Sequence, residues 1–193
     1  MNFTTKHSAY RTIPQDEFNG LLSLRYEVFK KRMGWEVKTQ GTLEQDDYDN
    51  ENAGYLYVKD AMEQVVGCCR LIPTTGRYML KDTFQVLLGN EPAPVGKKIV
   101  EISRLGVKKS SSLIGASISE VTLKLLQTIY IHGVENDIEE YIVVTSTSIE
   151  RLMRYAGIPC KRIGDKQVHM LGDTRSITLS IPVNSVFRNA VLN

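Results

Sequence analysis

The chain has 193 residues, 42% of them hydrophobic and 24% charged, the balance of a soluble globular protein long enough to bury one substantial core. A net charge of +2 is too small to argue for nucleic acid as a partner, and the three cysteines lack metal spacing, as reduced cytosolic thiols would. The start, MNFTTKHSAY, has no apolar signal core, and no run approaches the roughly 20 residues of a membrane span, so a cytoplasmic single domain over 1–193 is expected.

Residues 1–12 suit a short strand, and Pro14 suits the first turn of a helix continuing to about Met33. Phe18, Leu21, Leu22, Val28 and Phe29 form its apolar face. Arg25 falls in that same stripe, where a guanidinium must snorkel to solvent, be paired or line a polar cavity. Gly34 is a plausible stop, followed at once by the single tryptophan, Trp35. The segment 36–52 reads as a long polar loop, and Glu44, Asp46, Asp47, Asp49 and Glu51 put five carboxylates into eight of its residues. Between Arg25, Trp35 and these acids the pattern predicts a polar, aromatic-walled pocket for a small charged molecule.

Residues 55–59 and 65–72 read as two strands joined by a short hairpin, the second carrying Arg70 within an apolar run. Asp82 is expected to cap a short helix through Leu88, ended by Gly89. IVEISRLGV, residues 99–107, reads as a central strand with three polar residues, Glu101, Ser103 and Arg104. Strict alternation places Glu101 and Ser103 on one face and Arg104 on the other, unless a bulge after Ser103 turns Arg104 round to join Glu101. Structural ion pairing and a site remain open alternatives for these three residues.

Ser117-Ile-Ser-Glu120 has the capping-box pattern, predicting a helix to about His132 with Gly133 as its stop. A strand over 141–145 follows, then a second capping box at Thr147-Ser-Ile-Glu150 opens a helix ending at Gly157. Residues 160–163, 167–171 and 175–181 are short strands separated by Gly-Asp turns. Alternating strands and helices predict the α/β class, a mixed β-sheet flanked by helices in one layered domain.

Several chemistries lack their residues. Read from Asp47, an EF-hand spacing would place Asn52 where Gly is required and Val58 where Glu is required. There is no HExxH or CxxC for zinc, no GxSxG elbow and no GxxxxGK phosphate loop. Cys68 and Cys69 have no adjacent histidine and read as packing rather than nucleophiles.

The runs LRYEVFKKRMGWEV, EQDDYDN, CCRLIPTTG and VEISRLGV, together with RIGDK and LGDT near the end, resemble the LuxI-type acyl-homoserine-lactone synthases, signal makers of bacterial quorum sensing. The resemblance covers essentially the whole chain. It implies a fold similar to the GCN5-type N-acetyltransferases and hallmark residues at Arg25, Phe29, Trp35, Asp46, Asp49, Arg70, Glu101 and Arg104, with Ser103 beside them. It also implies a reaction in which the amine of S-adenosylmethionine takes an acyl chain from acyl carrier protein and the homoserine part closes to a lactone, releasing methylthioadenosine. S-adenosylmethionine is then a substrate, and no cofactor or metal is expected.

On this basis Phe29 and Trp35 offer aromatic faces to a sulfonium, Arg25, Arg70, Asp46 and Asp49 join an ion-pair network, and Glu101, Ser103 and Arg104 are the catalytic candidates, with Glu101 as proton acceptor. The acyl chain is expected among Ile142, Val143, Val144, Leu152 and Met153, with Thr145 near a 3-oxo group. Lys108, Lys109, Arg151, Arg154, Lys161 and Arg162 are candidates for docking an acidic carrier protein. VKKSSSLIGAS lacks the clustered Arg/Gly pattern that holds a coenzyme A pyrophosphate, which favours the carrier-protein donor over an N-acetyltransferase using free acyl-CoA. A non-enzymatic ligand-binding module is the remaining alternative.

Overall fold

The structure is a computed structural model describing residues 2–109 and 118–192. In chain order its elements are β1 (Thr4–Ala9), α1 (Gln15–Arg25) continued by a π-helical stretch (Tyr26–Arg32), β2 (Thr39–Gln40), β3 (Leu43–Glu44), β4 (Gly54–Lys59) and β5 (Val65–Pro73). Next come α2 (Met79–Asp82), a 3₁₀ turn (Gln85–Leu88), β6 (Ile99–Val107), α3 (Glu120–Glu135) and β7 (Glu140–Ser146). The chain finishes with α4 (Thr147–Tyr155), β8 (Lys161–Arg162), β9 (His169–Leu171), β10 (Thr174–Pro182) and α5 (Ser185–Leu192). Two compact units result, one of Met1–Arg70 and Arg104–Ile129, the other of Leu71–Ser103 and Tyr130–Asn193. The dividing positions fall inside β5 and β6, which give residues to both units.

In the first unit the strands follow one another as β1-β4-β5-β6, with β1 antiparallel to β4 from Thr4↔Lys59 to Ala9↔Gly54. α1 covers them, its Phe18, Leu21, Leu22 and Leu24 packing with Tyr55, Tyr57 and Cys68. Each such burial contributes about 1.5–3 kcal/mol. Glu17 ties the start of α1 to β1 and β4 by accepting from Lys6 Nζ at 2.5 Å, Lys59 Nζ at 2.7 Å and the Tyr57 hydroxyl. Burial works against the Glu17 anion, but these donors outweigh it and hold the carboxyl at about 2.

The expected helix to Met33 is present but changes winding after Arg25. Met33 N–H bonds the Val28 carbonyl, five residues back, so the last turns are π rather than α. Gly34 at φ +69° ends it, a left-handed conformation glycine adopts without Cβ strain, and Trp35 N–H then reaches back to the Phe29 carbonyl. The segment expected to be a long polar loop contains a small hairpin, Thr39↔Glu44 and Gln40↔Leu43.

In the second unit the order is β5-β6-β7-β10-β8, with β9 also on β10. β6 and β7 run parallel over Ile99–Ile102, while β7 and β10 are antiparallel from Glu140↔Pro182 to Ser146↔Ser176. Mixed pairing with helices alongside is the α/β class anticipated above. α3 does not stop at Gly133. The helix runs through it to Glu135, and a Cβ there would lie 3.0 Å from Val183 and 3.2 Å from Tyr141, so the glycine serves close packing. The helix-opening serine among the described residues is Ser119, which accepts from Thr122 N–H at 3.1 Å; the expected cap at Ser117 lies outside them. α4 is capped by Ser146, accepting from Ile149 N–H, not by Thr147. The expected helix 82–88 is instead α2 followed by the 3₁₀ turn, with Asp82 at the end of α2. α5, which the sequence reading missed, is signalled by Asn184, whose side chain accepts from Phe187 N–H at 3.0 Å.

β10 carries a buried row of hydroxyls, Ser176, Thr178 and Ser180, on one face and Ile177, Leu179 and Ile181 on the other. The Thr178 hydroxyl, 3% exposed, has no hydrogen-bond partner among the described residues. An unmatched buried hydroxyl costs about 1–3 kcal/mol. Thr178→Val keeps the shape and removes that cost, so a thermal melt should rise by about 2–4 °C for roughly each kcal/mol recovered.

Candidate functional site

The expected charged pocket is a closed ring of alternating charges within the first unit. Arg25 donates from Nε to Glu44 Oε2 at 2.5 Å and from Nη1 and Nη2 to Asp49 at 2.7 and 2.9 Å. Arg70 grips Asp46 through Nη1 and Nη2 at 2.5 and 3.1 Å, and its Nη1 is 3.0 Å from Asp49. Arg104 closes the ring, with Nε and Nη2 on Glu44 at 3.1–3.2 Å and Nη2 2.7 Å from Asp46. Each cation thus bridges two anions and each anion two cations. Tyr55 adds a hydroxyl to Asp49 at 3.0 Å, and the Asp46 N–H donates to the same carboxylate at 2.9 Å.

The fold supplies each member separately. α1 presents Arg25 inward, the β2–β3 hairpin delivers Glu44, the turn after it delivers Asp46 and Asp49, and β5 and β6 carry Arg70 and Arg104. Arg104 needs a backbone irregularity to take part. Its φ is +51° within β6, just after Ser103, and left-handed backbone at a residue with a Cβ costs about 1–2 kcal/mol. Arg104 turns to Glu44 and Asp46.

The ring is sealed over most of its circumference. The side chains of Arg25, Glu44, Asp49 and Arg70 are 0% exposed, while Asp46 at 12% and Arg104 at 11% form its accessible corner. Burial disfavours the Asp46 and Asp49 anions, but the adjacent Arg70 and Arg25 guanidiniums outweigh it and hold both carboxyls below the usual range. Glu44 and Tyr55 are members that the sequence reading did not single out. Glu44 stood in the acidic run, but nothing in its spacing distinguished it from Asp47, which is exposed and pairs with Lys38 at 2.8 Å.

Trp35 stacks on Phe29 with ring centroids 5.3 Å apart and planes 18° apart, and the Arg104 guanidinium lies 5.6 Å over the same Phe29 ring. Phe29 is the buried ring of this cluster, in contact with both indole and cation, and Trp35 is the partly buried member. The Arg70 guanidinium lies 5.7 Å over Tyr48, which the sequence reading also passed over.

Glu101 and Ser103 lie on β6 within the second unit. Glu101 is 1% exposed, and its two oxygens accept from the backbone N–H groups of Met79 at 2.8 Å and Leu80 at 2.7 Å. Of the acyl-chain candidates, β-strand alternation puts Val143 and Thr145 on one face of β7 and Ile142 and Val144 on the other. Arg162 opposes Leu179, which opposes Val143, and Arg162 bonds Glu150 of α4, so α4 with Met153 lies on the Val143 face. Ile142 and Val144 thus do not share one wall with Val143, Thr145 and Met153. Among the basic candidates, Arg154 and Arg162 both bind the Glu150 carboxylate, at 3.1 and 2.6 Å, whereas Arg151 and Lys161 are exposed. Lys108 and Lys109 belong to the first unit. Burial pushes the Cys68 thiol up to about 12, in keeping with packing rather than nucleophilic use.

Among the described residues no helix is long and apolar enough to cross a membrane, and no group of three or more His, Cys, Asp or Glu side chains is placed to hold a metal ion. The autoinducer synthase family model matches residues 10–191. An acyl-homoserine-lactone synthase of Aliivibrio fischeri is 52% identical over 193 residues, covering 100% of both chains. The crystal structure of the AHL synthase LasI is similar with a TM-score of 0.88 at 30% identity, covering 99% of this chain and 95% of that one. That of TofI in a ternary complex with an inhibitor and MTA has a TM-score of 0.83 at 25% identity, covering 99% and 96%.

Removing one member strands its neighbours. Glu44→Gln leaves Arg25 and Arg104 short of one buried charge and is expected to cost about 3 kcal/mol in denaturant unfolding. The aspartates give a pH signature as well. Their folded-state pKa values lie below the ordinary 3.8, so their stabilisation is complete above about pH 4 and is lost as pH falls toward the folded values. Unfolding free energy measured from pH 6 downward should drop below about pH 4, more steeply than in Asp49→Asn.

Proposed function

The chain belongs to the autoinducer synthase family, and on that premise we propose how its own residues carry out acyl-homoserine-lactone synthesis. The observation that carries the reading is the ring of three arginines and three carboxylates, open only at Asp46 and Arg104, with the Phe29–Trp35 stack against Arg104. S-adenosylmethionine carries an ammonium, a carboxylate and a sulfonium. The Asp46–Arg104 corner presents one anion and one cation, the complement of its amino-acid end. Trp35 supplies a flat ring whose attraction for a desolvated cation such as the sulfonium is worth about 0.5–2 kcal/mol. Because the remaining four ring members are fully buried and paired within the ring, their role is to hold that corner rigid rather than to touch substrate.

In the first step the amine nitrogen, unprotonated, attacks the thioester carbonyl carbon. The C–N bond forms, the C–S bond breaks, and the proton released by nitrogen balances the departing thiolate. In the second, a carboxylate oxygen attacks the carbon next to the sulfonium, the lactone C–O bond forms, and neutral methylthioadenosine leaves. Nucleophile and electrophile sit in one molecule, so proximity drives the closure and the positive sulfur departs without further help. The scheme draws on S-adenosylmethionine as substrate and requires no metal or resident cofactor.

The acyl chain is placed along the apolar face of β7 and α4, with Val143 and Met153 as walls, Leu152 at its margin and Thr145 as the polar residue for a 3-oxo group. The acyl donor is acyl carrier protein, supported by the absence of a clustered Arg/Gly sequence after β6. Of the basic residues on the second unit, Arg151 and Lys161 are the better docking contacts, because Glu150 already neutralises Arg154 and Arg162. The reaction is cytoplasmic, where both substrates are made.

Incubation with S-adenosylmethionine and either an acyl carrier protein thioester or the matching acyl-CoA, with lactone read by mass spectrometry, should give product chiefly from the carrier. Comparable kcat/KM values for the two donors would overturn that assignment. Trp35→Ala should raise the KM for S-adenosylmethionine about 3- to 30-fold, the loss of one cation–π contact. Arg151→Glu with Lys161→Glu should raise the KM for carrier protein in a salt-dependent way and leave that for S-adenosylmethionine unchanged.

A further inference from the structure

Glu101 is the one candidate whose surroundings do not suit the role of proton acceptor. Its carboxylate is buried, and each oxygen is taken by a backbone amide, Met79 N–H on Oε2 at 2.8 Å and Leu80 N–H on Oε1 at 2.7 Å. Those are the first two amides of α2, which have no partner within a helix of that length. Tyr78, the residue preceding α2, offers no side-chain cap of its own. Its hydroxyl donates instead to the Pro94 carbonyl at 2.6 Å. Thr74 fastens the same excursion of chain, accepting from Gly96 N–H at 3.1 Å and donating to the Ile99 carbonyl at 2.8 Å. The stretch between β5 and β6 is thus closed at its neck by Thr74 and clasped at α2 by Glu101.

A proton placed on either Glu101 oxygen would weaken an acceptor that an amide already uses, at a position where water is excluded. A residue built to gain and lose a proton in each turnover is poorly served by that arrangement. A residue built to hold a backbone segment still is well served by it.

We propose that Glu101 is a positioning residue, acting as a permanent anionic cap that fixes α2 beside the β6 strand, and that the amine's proton is lost to another acceptor. The proposal deepens the synthase reading and rests on it for its kinetic part only, since the clasp itself is a property of the folded chain. Through Met79 and Leu80, Glu101 sets the position of α2 against β6, the strand that also carries Ser103 two residues along.

The test compares Glu101→Gln with the wild type in two measurements. The first is the pH dependence of kcat/KM for lactone formation. A positioning role predicts a fall of about 10²-fold from misplacement, with the acid-side limb kept at the same midpoint. A proton-acceptor role predicts that this limb vanishes or moves in the variant. The second is amide hydrogen exchange. Met79 and Leu80 N–H should be strongly protected in the wild type and lose protection in Glu101→Gln, while the amides of β10 keep theirs. A lost or moved acid limb overturns the proposal, as does unchanged protection at Met79 and Leu80. Should the variant not fold, rapid exchange at those two amides in the wild type alone would also overturn it. Failure of the wild type to make any lactone would count against the synthase reading and leave the exchange result to judge the clasp.

Discussion

Three guanidiniums cannot be buried in one place unless as many carboxylates are buried with them. An unpaired buried charge costs several kcal/mol, and breaking a buried pair costs about 3–5 kcal/mol. The alternation Arg25–Glu44–Arg104–Asp46–Arg70–Asp49 meets that constraint with zero net charge and no partner used only once. Such a ring is a weak contributor to net stability, since desolvation offsets much of the attraction. Its value is specificity. Six side chains from a helix, a hairpin, a turn and two strands fix one another, so the first unit has one arrangement of its polar interior.

Two irregularities adjoin that ring. Arg104 adopts left-handed backbone in mid-strand, and α1 gives way to π winding immediately after Arg25. Both are local costs that strands and helices normally avoid, and both lie where the aromatic stack and the ring meet. The accessible corner at Asp46 and Arg104 is the outcome, a paired anion and cation presented on a rigid base. In the second unit the same economy recurs on a smaller scale. Glu101 spends its charge on two helix amides, and Glu150 gathers Arg154 and Arg162.

Family membership was legible from short motifs because the ring residues and the aromatic pair fall inside them. Arg25 on an apolar stripe and Arg70 in an apolar strand were conspicuous, since a charge in those settings demands an explanation. Glu44 was not, because one carboxylate in an acidic run looks like the next, and only the β2–β3 hairpin turns it inward while Asp47 faces solvent. Glu101 posed a related difficulty. A glutamate in a buried strand advertises that it is used, but the Met79 and Leu80 amides that it accepts from leave no mark on composition or spacing.

Periodicity, caps and turns therefore determined the number and kind of most elements and the class of the fold, because these depend on side chains a few residues apart. The sequence also declared that buried charge had to be matched. Which carboxylate meets which guanidinium, and that Gly133 is passed through rather than obeyed as a stop, were decided by tertiary structure alone. Those outcomes turn on contacts between residues tens of positions apart, where a few tenths of an ångström or one residue of register changes the partner.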